Sequence, residues 1–146
     1  MRSWDELAWI FVALPISVAG CAPADEGETD GPATVDIAAA IEAADDLSER
    51  PCPEDSVLSY DDFGGPFVLS FCAGCHASGL PEGERQGAPA FSNFDTLEDI
   101  RAAAARMWAR SGDHNVTMPP EGGPDPLDRE MFGEWLACGA PADDDP

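Results

Sequence analysis

Two cysteines and a histidine fall within five consecutive residues, Cys72-Ala73-Gly74-Cys75-His76. Cysteine sulfur is a nucleophile and a soft ligand, and imidazole is the commonest side-chain donor to a metal. A Cys-X-X-Cys pair by itself serves a redox dithiol or half of a zinc site. A histidine directly after the second cysteine points to a third chemistry. Residues three apart lie on one helix face, so both sulfurs can reach the two vinyl groups of one haem, and the next side chain meets its iron. The rival chemistries lack their other parts. A thioredoxin-like domain needs strands, and no Val/Ile-rich strand run surrounds the motif; a zinc site needs two further close ligands, and the only other histidine is His114.

The five residues resemble the attachment site of class I cytochromes c, which are monohaem carriers of single electrons. The resemblance runs from about Pro66 to Pro141. It implies an all-α, cytochrome c-like fold of three to four helices around one covalently attached haem c, with a terminal helix packed across the haem-ligating first helix. It implies that Cys72 and Cys75 hold the macrocycle, that His76 is one axial ligand of the iron, and that a methionine from a late loop is the other. Met118, in Met118-Pro119-Pro120, sits where that methionine is expected, and its thioether favours ferrous iron. His114 is the rival ligand. Met107 and Met131 follow helical stripes and are expected in the core. Two further readings stay open: a haem enzyme or gas sensor whose iron leaves Met118 unbound, and a haem-free zinc or interaction lipoprotein.

Elements must position these groups. Gly65-Pro66 suits a helix entrance, and Phe67 to Cys75 places Phe67 and Phe71 one turn apart, so helix one is expected to end at the motif. Ser78 to Ser92, with three glycines and two prolines, reads as an irregular loop whose Ala88-Pro89-Ala90-Phe91 is expected to wall the ring. Thr96 and Asp99 form a capping-box pattern opening a helix to about Arg110, stopped at Ser111-Gly112. The last helix is expected from about Leu127 to Cys138, with Leu127, Met131, Phe132, Trp135 and Leu136 on its packed side. Arg85, Arg101, Arg106 and Arg110 are the candidates to neutralise haem propionates.

Charge and the leader bound the setting. The 146 residues hold 29 acidic and 7 basic side chains, all seven arginine, for a net charge of −22, which argues against a nucleic-acid partner. Residues 1–20 read as a signal peptide, with Arg2 near the start and an apolar stretch from Leu7 to Val18 too short to span a bilayer, although Asp5 and Glu6 depart from the pattern. Val18-Ala19-Gly20-Cys21 resembles the lipobox of bacterial lipoproteins, which implies lipid on Cys21 and a membrane anchor. Residues 21–51 then read as an acidic flexible tether reaching about 30 Å, with a short helix in Val35–Ser48 as an option.

Residues 52–142 are the expected haem domain, and 143–146 an acidic tail. With Cys21 assigned to lipid and Cys72 and Cys75 to haem, Cys52 and Cys138 remain, free to pair or to stand as two thiols. The whole reads as an exported, periplasmic carrier that exchanges electrons with redox partner proteins and is not an enzyme. Lacking lysine, it has no basic docking ring, so a neutral or basic partner face is expected.

Overall fold

A computed structural model describes residues 36–145, which belong to one compact unit. The leader, Cys21 and the tether up to residue 35 lie outside the described residues. Those described form an all-α chain with no strand: α1 (Ile37–Ala43), α2 (Gly65–Phe71), α3 (Ala73–His76), α4 (Leu97–Ser111) and α5 (Pro126–Ala137). None of these helices is long and apolar enough to cross a membrane.

The helix expected to run unbroken to Cys75 is two pieces. A π-helical turn, Tyr60–Gly64, feeds α2, and α2 closes when the Cys72 N–H bonds to the Val68 carbonyl at 2.9 Å. At Cys72 φ swings to −115°, and its own carbonyl accepts from the N–H groups of Cys75 and His76, starting α3. The second cysteine and the histidine therefore ride on a separate turn, aimed independently of α2.

α4 and α5 begin where side chains satisfy the free N–H groups of a helix start. Thr96 and Asp99 make the reciprocal capping box, and Asp125 accepts from the Asp128 N–H ahead of Pro126. Ile100, Met107 and Trp108 from α4 meet Phe132, Trp135 and Leu136 from α5 in the core, and α2 adds Phe67 and Val68. Leu127, expected on the packed side, is 64% exposed, and Met131 is half-buried.

The crossing of the first and last helices is made by rings and a missing side chain. Phe67 stacks on Phe132 with centroids 4.1 Å apart, and Trp135 lies so close to Gly64 that a Cβ there would overlap its indole. The same face closes the chain ends. Pro141 O accepts from Tyr60 N at 2.8 Å and from Trp135 Nε1 at 3.2 Å, and Cys52 is disulfide-bonded to Cys138 with Cα atoms 5.0 Å apart. Spanning 86 residues, that bond removes loop entropy worth about 4 to 5 kcal/mol from the unfolded chain.

Packing begins earlier than the expected boundary at Cys52. Ala44 and Arg50, inside the segment read as tether, are each only 4% exposed. Arg50 lays its fork on Asp113, with Nη2 to Oδ1 at 3.2 Å and Nε to Oδ2 at 3.3 Å, and donates to the carbonyls of Pro51 and Glu130. Burying a guanidinium is costly unless it is bonded, and this one makes four hydrogen bonds, two of them to a carboxylate. Asp145 of the acidic tail likewise folds back onto Arg101 of α4.

Gly64→Ala is expected to force the two helices apart and destabilise the protein by about 2 kcal/mol, on the scale of an overpacked core. Urea unfolding measures this, and an unshifted midpoint would show that the crossing has slack.

Candidate functional site

His76 is oriented through one ring nitrogen. Its Nδ1 lies 2.9 Å from the carbonyl oxygen of Ser92, and because a carbonyl can only accept, Nδ1 carries the proton. Nε2 is then the nitrogen with a free lone pair, the state in which imidazole binds a metal. Phe94 stacks on the ring with centroids 4.6 Å apart, and the Phe94 N–H bonds to the His76 carbonyl, so the end of the long loop holds the histidine from two sides.

A cavity of about 480 Å³ opens against this histidine. Its volume lies within the range of about 300 to 1,000 Å³ that takes small molecules and cofactors. Its lining comes from Phe71, Cys72 and His76, from Pro89, Ser92 and Phe94 of the long loop, from Arg106, Met107, Ala109, Arg110 and Ser111 of α4, and from Met118. The lining is mainly apolar. Two groups able to ligate a soft or borderline metal, imidazole and thioether, thus share one chamber with a thiol.

The two loops of this chamber are held by buried arginines. Arg85, 4% exposed, donates to the carbonyls of Ala77 (2.7 Å), Ala88 (3.3 Å), Pro89 (2.9 Å) and Ser92 (3.1 Å) and to Asn93 Oδ1 (2.9 Å). Arg129 of α5, 5% exposed, sends one nitrogen to the carbonyls of Ser111, Asn115 and Met118 at 2.9 to 3.1 Å. Met118 N donates to the Arg110 carbonyl at 2.9 Å, so its backbone is fixed at both polar atoms while the residue stays 37% exposed.

The structure sorts the sequence candidates. Cys72, His76 and Met118 line the same cavity; Cys75 is half-buried and is not part of the lining. His114 lines a different cavity of about 370 Å³, with Glu42, Asp113 and Glu130, and stands edge-on to Trp108. Of the four candidate arginines, Arg106 and Arg110 reach the main cavity, one turn apart on α4. Arg101 faces Asp145 and the Ala140 carbonyl instead, and Arg85 is absorbed by the loop. Pro89 walls the chamber as expected, whereas Phe91 is 77% exposed, with the Arg106 guanidinium 5.6 Å above its ring. Among the described residues, no three His, Cys, Asp or Glu side chains converge as a ready-made metal site.

Three positioning residues escaped the sequence reading: Arg50, Arg129 and Asp113. The last accepts from Arg50 and from Trp108 Nε1, and its own N–H bonds to the Arg129 carbonyl, while Gly133 of α5 leaves the space its carboxylate fills. The signal was faint, a lone Asp after the Ser111-Gly112 helix stop.

Burial in the apolar wall pushes the Cys72 thiol up to about 12 from its ordinary 9.0. The folded chain therefore holds this proton more tightly than the unfolded one. The stabilisation is complete below pH 9 and disappears as pH climbs towards 12. With both thiols free, iodoacetamide should modify Cys75 well before Cys72 near pH 8, and peptide mass mapping reads the order; equal rates would contradict the buried placement.

No protein-family model, curated protein or solved structure matches this chain.

Proposed function

We propose that this protein is a periplasmic c-type cytochrome, a single-electron carrier with one covalent haem c. The observation that carries the reading is the meeting of Cys72, His76 and Met118 on one mainly apolar cavity of about 480 Å³, with His76 Nδ1 already engaged and Nε2 free. When bound, the haem would supply an iron that alternates between ferric and ferrous states.

The residues present fit that group. Cys72 and Cys75, both free thiols, would hold the macrocycle through their sulfurs, and His76 and Met118 would bind its iron. The carbonyl of Ser92 holds the His76 ring in the metal-binding tautomer, and Arg129 with the Arg110 carbonyl fixes the Met118 backbone. Arg106 and Arg110, with no carboxylate within ion-pair distance among the described residues, supply cationic ends to an otherwise apolar chamber, matching a macrocycle with two acidic arms. The high thiol value of Cys72 argues against the dithiol reading, since a redox cysteine works as a lowered-pKa thiolate. The placement of His114 on another cavity favours Met118 as the second ligand. The Cys52–Cys138 bond suits an oxidising compartment, in keeping with export and a lipid anchor on Cys21.

The test is to express the full chain in a host that matures c-type haem, then record intact mass and oxidised and reduced absorption spectra. The expected outcome is one added macrocycle, the weak near-infrared band of sulfur ligation, and slow, incomplete binding of carbon monoxide to the reduced protein. Met118→Ala should abolish the near-infrared band and make carbon monoxide binding fast. Mature chains without the added mass would overturn the proposal, and rapid binding by the wild type would leave an open iron site as the better reading.

A further inference from the structure

The Ser92 carbonyl serves two donors. His76 Nδ1 approaches it at 2.9 Å and Arg85 Nη2 at 3.1 Å, so the imidazole and a guanidinium share one acceptor. Arg85 is 4% exposed, and all its other partners are neutral: the Ala77, Ala88 and Pro89 carbonyls and the Asn93 side-chain oxygen. Among the described residues no carboxylate stands within ion-pair distance of it; the two ion pairs found there belong to Arg50 and Arg101. A full positive charge is thus buried one hydrogen-bonded atom away from the histidine.

We infer that Arg85 is a positioning residue that tunes His76, holding the iron of the proposed haem at a more positive reduction potential; this inference rests on the electron-carrier reading. Two effects act in the same direction. A carbonyl that already accepts from a cation is a poorer acceptor for the imidazole N–H, so the ring keeps its proton close and Nε2 donates less electron density, which disfavours ferric iron. The uncompensated charge also acts through a poorly screened interior, where adding a further positive charge at the metal is unfavourable. The other three carbonyl bonds lock the guanidinium in place, so its charge cannot swing out to solvent.

The test compares matured wild type, Arg85→Gln and Arg85→Lys by intact mass, midpoint potential and thermal unfolding. The expected result is haem on all three, a clear negative shift of the midpoint in Arg85→Gln, and recovery of much of that shift in Arg85→Lys, which restores the charge. A midpoint unchanged in Arg85→Gln alongside a lowered melting temperature would mean that Arg85 only braces the loop, and would overturn the inference while leaving the carrier reading intact. Wild type that carries no haem overturns both. Should Arg85→Gln fail to mature, the wild-type arginine is tested in Met118→Ala: the iron–imidazole stretching frequency of the reduced protein is expected at the value of a neutral, weakly bonded histidine. An imidazolate-like frequency would refute the role given to Arg85.

Discussion

Buried arginines that donate to loop carbonyls hold this cavity together. Two of its walls are irregular chain, and an irregular segment folded inward carries carbonyl groups with no helix or strand ladder to receive them. Leaving such a group unpaired costs about 1 to 3 kcal/mol each. Arg85 and Arg129 between them answer seven carbonyls, and Arg50 answers two more while neutralising Asp113. A lysine could supply the charge but not the bracing, because its single ammonium cannot reach carbonyls lying in several directions. Of the six arginines among the described residues, three lie inside.

This arrangement also divides labour between helices and loops. α4 and α5 supply the fixed scaffold, with Trp108, Phe132 and Trp135 almost wholly excluded from water. The short turn α3 carries Cys75 and His76, and the two loops orient or complete them. One delivers the Ser92 carbonyl to His76, and the other delivers Met118 to the lining of the same chamber. Arg129 ties the Met118 loop to α5, whereas Arg85 ties the Ser92 loop to itself, so a change in either guanidinium reaches a specific functional atom.

Much of the scaffold was legible in the sequence. The Thr96/Asp99 box, the Ser111-Gly112 stop and the apolar spacing of the last helix are local signals, and the structure has helices there. The grouping of Cys72, His76 and Met118 was also anticipated, through a motif and a resemblance. What stayed hidden was non-local. The break at Cys72 is a dihedral change with no residue signature, since neither Pro nor an inserted Gly marks it. Arg50 meets Asp113 across 63 residues, and no sequence period announces such a partnership. Leu127 fitted the apolar stripe, yet the stripe says nothing about where the neighbouring helix ends.

The disulfide between Cys52 and Cys138 has a topological meaning as well as an entropic one. The π-helical turn, α2 to α5, both loops and every residue lining the main cavity lie on the 86-residue stretch that it closes. Among the described residues, 16 precede this covalent ring and seven follow it. A protease that nicks the stretch from Glu82 to Gly87, exposed at every residue but Arg85, would open the ring without releasing a fragment, and both halves would stay attached until the bridge was reduced. Backbone damage in that loop would leave the parts of the chamber on one molecule.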